Sequence, residues 1–148
     1  MFGGMNDLLY PMSADIYYSE QSQNDIGEVT KLWKKDRSIK CSAIKNNPTS
    51  RTPDYVNVSI NLEYDLIVRF RTNEDIQISS DDQSYRITDI LITNICDKFG
   101  NVMWKEDREN ATIFEIRSIE PMIDISGLII GYRIHSVRSD NQGMLWFR

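Results

Sequence analysis

Short runs of alternating apolar and polar residues, separated by turn-forming residues, recur along the whole chain. The clearest run covers residues 56–62, in which valine, isoleucine and leucine alternate with asparagine and serine. Alternation with a period of two places apolar side chains on one face of a β-strand and polar side chains on the other. Comparable runs lie at residues 64–70, 85–92, 113–119 and 128–137. The pattern predicts about eight strands in one all-β domain, either a small antiparallel barrel or a sandwich.

The length of 148 residues fits a single domain with its own core. We expect an N-terminal arm at residues 1–12, followed by a barrel over residues 13–104. An insertion at residues 45–61, which contains two prolines, is predicted to form a long loop or hairpin within the barrel. A charged break follows residue 104, and residues 105–148 are predicted to form a C-terminal β extension.

The formal net charge of −5 argues against a protein whose main task is to grip the nucleic-acid backbone, because that task usually needs a basic face. A local basic cluster is nevertheless present, and a solvated strand surface is favoured for it over contact with an acidic partner. The cluster comprises Lys31, Lys34, Lys35, Arg37 and Lys40. The first residues lack the pattern of a secretory signal, and no run approaches the roughly 18 apolar residues of a membrane span. We therefore expect the protein in the cytoplasm or in a particle assembled there.

Residues 15–44 are compatible with two structures, a short helix or a β-hairpin. Apolar residues between Ile26 and Trp33 have helical spacing. Gly27 interrupts this run, however, and the pair Asn24-Asp25 favours a turn between two extended segments. The hairpin is the favoured prediction.

The residue types of common active sites are scarce. His135 is the only histidine, which removes most catalytic triads and histidine metal clusters, and its place in a strand pattern favours a structural role. Asp81 and Asp82 lack the spacing of a calcium loop and favour a polar turn. Cys41 and Cys96 lie in apolar strand patterns, as expected of reduced thiols that pack as small hydrophobes. We therefore expect no enzyme activity, no cofactor and no metal site.

A specific order of elements runs through residues 15–95. A strand opens it, an acidic-glycine turn and Trp33 follow, and the basic pair Arg69 and Arg71 comes after a proline-rich loop. The segment Tyr-Arg-Ile-Thr-Asp-Ile at residues 85–90 is then predicted to form a further strand. This order resembles the head-closure, or stopper, branch of the head-tail joining proteins of tailed bacteriophages. Residues 105–148 have no counterpart in that pattern.

The resemblance implies a structural virion protein of the phage neck, assembled in the cytoplasm of the bacterial host. Copies would form a ring between the portal or adaptor and the tail, close the DNA channel and provide the tail-docking surface. Implied partners are further copies of the chain, portal or adaptor proteins, and tail-terminator or tail-tube proteins, with packaged DNA at the channel loop. The channel-loop candidates are Lys45, Arg51, Tyr55, Asn57 and Asn61. The partner-interface candidates are Leu8, Tyr10, Trp33, Arg69 and Arg71.

Two alternatives remain open from the sequence. One is another phage tail component, such as a tail-terminator or baseplate ring protein. The other is an OB-like nucleic-acid-binding barrel, in which aromatic rings stack on bases beside basic residues. Aromatic residues in strands more often belong to a core, and this favours the structural role.

Overall fold

The computed structural model describes residues 8–23, 27, 29–45 and 66–142. The strands are β1 (Met12–Gln23), β2 (Val29–Lys45), β3 (Ile67–Thr72), β4 (Ile90–Cys96), β5 (Phe114–Ile123) and β6 (Ile129–Arg138), with a 3-10 turn at Ile87–Asp89. They follow the order β1-β2-β3-β6-β5-β4 around a closed antiparallel barrel, in which β4 returns to pair with β1. The predicted all-β, barrel-like fold is confirmed. No helix within the described ranges is long and apolar enough to cross a lipid bilayer.

β1 and β2 form a hairpin, as the turn residues predicted. Met12 pairs with Cys41 at one end of the hairpin, and Gln23 pairs with Val29 at the other. Gly27 lies between the strands with a φ of 88°, in the left-handed region that glycine adopts without steric cost. The helical spacing in this segment therefore does not decide its structure.

Strands from both halves of the chain close the barrel. β6 pairs with β3 along the whole of β3, and β5 joins β4 through Phe114. Residues 114–138 are thus part of the barrel wall, which differs from the sequence-based division into a barrel at 13–104 and an extension at 105–148. The reason is that a strand pattern does not name its pairing partner, and β3 and β6 are far apart in the chain.

The connection between β3 and β4 covers one end of the barrel. Residues 76–77 form a turn there, and Ile78 forms an isolated bridge with Ser84. Tyr18 Oη donates a 2.6 Å hydrogen bond to the carbonyl oxygen of Ile76, whose side chain is 1% exposed and belongs to the main core. The predicted strand at residues 56–62 lies outside the described residues.

Inward-facing side chains fill the barrel. Phe70 and Phe114 meet edge to face with ring centroids 6.3 Å apart, and Trp104 meets Phe114 in the same way at 5.9 Å. Such pairs add about 0.5–1.5 kcal/mol beyond the burial of their area. Fully buried aliphatic side chains around them include Ile16, Ile39, Ile92, Val68 and Ile134. Cys41 lies in the same core, and burial raises the pKa of its thiol to about 12, so it packs as a hydrophobe.

A second apolar cluster lies on the outside of the barrel wall. It consists of Tyr17, Trp33, Leu91 and Ile113, and we call it the covered face. Leu91 alternates with core residues of β4, so its side chain points away from the barrel interior. Ile113 comes from the connection between β4 and β5. Ile113, which directly precedes β5, therefore covers the outward side of Leu91.

Candidate interaction surface

Two arginines predicted to contact a partner lie on the outer side of β3. Arg69 and Arg71 alternate with Phe70, whose side chain is buried in the core. On β6, His135 stands opposite Arg69, and Arg133 stands opposite Arg71. We call these four outer residues, Arg69, Arg71, Arg133 and His135, the open face. The pleat of two neighbouring strands thus gathers three guanidinium groups and an imidazole on one surface.

The open face is only partly neutralised. Glu120 of β5 stands opposite Arg133, and its carboxylate lies 3.9 Å from Arg133 Nη1 and 3.8 Å from His135 Nε2. The Glu120 side chain is 56% exposed, so water screens these contacts and each stabilises little. The side chains of Arg69 and Arg71 form no hydrogen bond or ion pair with any described residue. Among the described side chains, the one buried polar atom without a hydrogen-bond partner is Nε of Arg133. The open face therefore carries guanidinium donors that no described residue uses.

The end of the β5–β6 hairpin is apolar and exposed. β6 pairs with β3 only from Tyr132 onward, so the turn and the adjoining residues extend beyond β3. Five large apolar side chains are exposed there, and we call them the hairpin end: Ile123, Ile125, Leu128, Ile129 and Ile130. Asp124 Oδ1 orders the turn by accepting hydrogen bonds from the backbone N–H groups of Ser126 at 2.9 Å and Leu128 at 3.0 Å. A group of exposed apolar side chains on an ordered hairpin is typical of a protein interaction site.

Among the described strands, the outer edge of β5 beside the hairpin end has a partner at only one end. β5 pairs with β4 only at Phe114 and Glu115, and no other described strand joins it on that side. Pro121 lies within the unpaired part. Since proline has no backbone N–H, it interrupts the row of donors that an incoming strand would need. The geometry favours contacts through the side chains of the hairpin end over addition of a strand.

The N-terminal residues reach the base of the hairpin end. The Tyr10 hydroxyl lies 3.3 Å from the position that a β-carbon would take at Gly131. The same position lies 2.8 Å from Met122 Cε and 2.9 Å from the Thr72 carbonyl oxygen, so this site has room for glycine alone. Leu8 is 81% exposed. Of the predicted interface residues, Tyr10 therefore lies beside the hairpin end, and Leu8 is available for contact.

Trp33 differs from its expected place at a partner interface. Its side chain is 8% exposed because it packs in the covered face with Leu91 and Ile113. Lys31 Nζ lies 5.9 Å from the centre of its ring. The tryptophan thus contributes to the packing of its own chain, and the neighbouring Leu32 is the exposed apolar residue of this segment.

The channel-loop candidates fall mostly outside the described part of the chain. Lys45, the last residue of β2, is exposed and pairs with Val68. Arg51, Tyr55, Asn57 and Asn61 lie outside the described residues. Their proposed role therefore stays a prediction.

A small cleft opens at the end of the barrel near the β3–β4 connection. It is lined by Tyr18, Glu20, Lys34, Lys35, Asp36, Ser79, Asp81 and Tyr85. The rings of Tyr18 and Tyr85 stack with centroids 4.3 Å apart. The cavity volume of about 50 Å³ is far below the ~300 Å³ at which sites for organic ligands begin. The cleft is large enough for a few water molecules but too small for an organic cofactor.

The half-buried carboxylates are committed to hydrogen bonds that hold the fold. A hydrogen bond from Arg138 lowers the pKa of Glu106 against the opposing effect of burial. Burial favours the neutral form of Asp36, but hydrogen bonds from Ser80 and Arg37 outweigh it and lower its pKa. Both carboxylates are therefore charged at neutral pH and serve as acceptors. Within the described ranges, no group of three or more histidine, cysteine, aspartate or glutamate side chains is placed to hold a metal ion.

Comparisons with known proteins place few limits on function. No protein-family model matches the chain, and no curated protein sequence matches it. One similar solved structure is the solution structure of a Shigella flexneri 2a protein, determined by a structural genomics consortium. It has 12% sequence identity and a TM-score of 0.44, over 87% of this chain and 92% of the other.

Proposed function

We propose that the protein is a structural component of the neck of a tailed bacteriophage. Copies form a ring between the portal or adaptor and the tail, and the ring closes the DNA channel and presents the tail-docking surface. The observation that carries the proposal is the hairpin end, with its five exposed apolar side chains. The order of elements in residues 15–95, which is similar to that of head-closure proteins, supports the same assignment.

Exposure of the apolar hairpin end to water is unfavourable. Burial of apolar surface stabilises an interface by about 25 cal/mol per Å². Ile125, Leu128 and Ile130 are each more than half exposed and project from a hairpin that the Asp124 turn keeps ordered. Because the interacting groups are already fixed, little conformational entropy is lost when a partner covers them. Such a surface suits a protein that functions by binding neighbouring subunits.

The assembly test is a double substitution at the hairpin end, Ile125→Ser with Leu128→Ser. Native mass spectrometry and sedimentation should show that wild-type protein forms ring-sized oligomers, whereas the variant stays smaller. The matched control is Phe99→Ser, because Phe99 is 77% exposed but lies in the β4–β5 connection at the opposite end of the barrel. The thermal midpoint of all three proteins should agree. Equal assembly of the two variants would contradict a role for the hairpin end.

A second experiment tests the place of the protein in the particle. Mass spectrometry of purified virions should detect the chain, and cryo-electron microscopy should show a barrel-sized ring between portal and tail. A ring that caps the tail tube without docking on the portal side would instead favour the tail-terminator alternative, and a ring at the far end of the tail would favour the baseplate alternative. Absence of the chain from intact virions would contradict all three assignments.

A further inference from the structure

We propose that neighbouring copies in the ring contact each other head to tail, with the open face of one copy binding an acidic turn of the next. The acidic turn is formed by Asp81 and Asp82 in the β3–β4 connection. The inference rests on the proposed ring and adds a charged contact between copies to the apolar contact at the hairpin end. Its support is the charge complementarity of two ordered, separate surfaces on the same chain.

The acidic turn is fixed by its own backbone. Ser79 Oγ accepts hydrogen bonds from the N–H groups of Asp81 and Gln83, each at 3.2 Å, and the Asp82 N–H donates to the Ser79 carbonyl at 3.0 Å. Asp82 has a φ of 63°, in the left-handed region where aspartate is enriched. Both aspartates are exposed. Neither carboxylate forms a hydrogen bond or ion pair with a described residue, although Asp81 also borders the cleft.

The open face matches the acidic turn in spacing and chemistry. Residues two apart on a strand lie about 6.6 Å apart, and neighbouring strands lie about 4.8 Å apart, so Arg69, Arg71 and Arg133 form a compact triangle. The α-carbons of adjacent residues such as Asp81 and Asp82 are about 3.8 Å apart, which brings both carboxylates within the span of that triangle. The planar guanidinium group binds a carboxylate through two parallel hydrogen bonds. Such pairing orients the partner as well as attracting it.

The position of the two surfaces determines the symmetry of the contact. The acidic turn lies at the end of the barrel where β3 ends, whereas the open face lies on the flank of β3 and β6. In the proposed ring, each copy uses its turn on one neighbour and its flank on the other. A contact between two different patches is heterologous, and it closes into a ring when the rotation between copies permits.

Charge reversal separates the two halves of the contact. The open-face variant carries Arg69→Glu and Arg71→Glu. The acidic-turn variant carries Asp81→Lys and Asp82→Asn, where asparagine tolerates the positive φ. The control carries Lys98→Glu and Arg108→Glu, which changes the net charge as much as the open-face variant does but on the β4–β5 connection. Circular dichroism and the thermal midpoint establish that each variant is folded.

The open-face variant and the acidic-turn variant, each tested alone, should associate at least about tenfold more weakly than wild type, because like charges then face each other across the contact. The control should assemble as wild type does. An equimolar mixture of the two variants should assemble better than either variant alone, because one contact is native and the other sets the glutamates introduced at positions 69 and 71 against the lysine introduced at position 81, so opposite charges face each other again. Assembly of wild type should weaken as salt is raised.

Other outcomes overturn the inference and leave the proposed function separately testable. If wild type forms rings that neither charge-reversed variant affects, the head-to-tail contact is wrong while the ring stands. If the open-face variant assembles normally but loses binding to a duplex DNA probe that wild type binds, the open face is a phosphate-binding surface instead. If wild-type protein forms no ring and is absent from virions, the proposed function itself is wrong.

Discussion

The two outer faces of the barrel differ in what lies over them. The covered face packs Trp33 and Leu91 under Ile113, which the β4–β5 connection supplies. On the open face, Arg69 and Arg71 contact no other described side chain by hydrogen bond or ion pair. Both faces are built from the outward half of the same strand alternation. The path of a connecting segment decides whether an outward side chain is covered and stabilises the fold or stays available for a partner. The sequence of the strand alone does not show which of the two occurs.

The largest effect is expected on the covered face. Trp33→Ala should lower the free energy of unfolding by about 2–4 kcal/mol, because it removes a buried ring and leaves a cavity. Urea denaturation followed by circular dichroism measures the loss. The matched control is Leu32→Ala, in which an exposed neighbour is truncated, and the expected change is within about 0.5 kcal/mol. Equal effects for both would mean that the covered face is not a packed cluster.

A smaller loss of stability is expected at Gly131, where β6 is tightly packed at the base of the hairpin end. Gly131→Ala places a methyl group 2.9 Å from the Thr72 carbonyl oxygen and 2.8 Å from Met122 Cε. The methionine end is flexible but the carbonyl is not, so overpacking should cost about 1–3 kcal/mol. Thermal denaturation gives the result. Adding Met122→Ala should recover only part of the loss, and full recovery would show that the backbone contact is unimportant.

The ion pair that anchors the β4–β5 connection should make stability depend on pH. Arg138 Nε donates a 3.0 Å hydrogen bond to Glu106 Oε1, and Thr112 Oγ1 donates one of 2.9 Å to Oε2. The hydrogen bond from Arg138 lowers the folded-state pKa of Glu106 below the unfolded value. The carboxylate therefore stabilises the fold above about pH 4.3, and this contribution is lost as the pH falls through the folded-state pKa.

Glu106→Gln should accordingly lower the free energy of unfolding by about 1 kcal/mol at neutral pH. The difference from wild type should shrink as the pH falls toward 3, because wild-type Glu106 then becomes protonated. Urea titrations at several pH values between about 7 and 3 measure both effects. A constant difference across this range would exclude Glu106 as the titrating group.

The smallest change in stability is expected on the open face. Arg69→Ala and Arg71→Ala should each alter the free energy of unfolding by less than about 0.5 kcal/mol, since neither side chain has a partner to lose among the described residues. The same denaturation assay applies. A loss as large as that of Trp33→Ala would mean that the open face packs against part of the chain and is not free for a neighbour.

Local pattern predicted the strands better than it predicted their neighbours. The turn signals at Gly27 and the alternation around Phe70 lead directly to the β1–β2 hairpin and to β3. Alternation also predicts correctly that Arg69 and Arg71 face outward once Phe70 faces the core. The pairing of β3 with β6 is a long-range choice set by the total burial of the barrel, and no short pattern encodes it.

The sequence predicted some of the candidate surfaces and missed others, because the exposure of a side chain also depends on residues that are distant in the sequence. Trp33 has the residue type of an interface anchor, yet the burial of its ring depends on Ile113, which is distant in the sequence. The hairpin end was missed, although a signal was present. Residues 128–130 are apolar at successive positions, so they occupy both faces of the strand, and a strand with a single core to face must expose one of them.

Pro121 protects the edge of β5 from the addition of further strands. A subunit with an uncovered apolar hairpin and an unpaired strand edge is prone to join other chains indiscriminately, in the manner of amyloid growth. The missing N–H at Pro121 blocks the continuous ladder that such growth requires, while the side chains of the hairpin end stay available. Replacing Pro121 should therefore make the isolated protein more prone to aggregate through the edge of β5, while the exposure of the hairpin end stays the same.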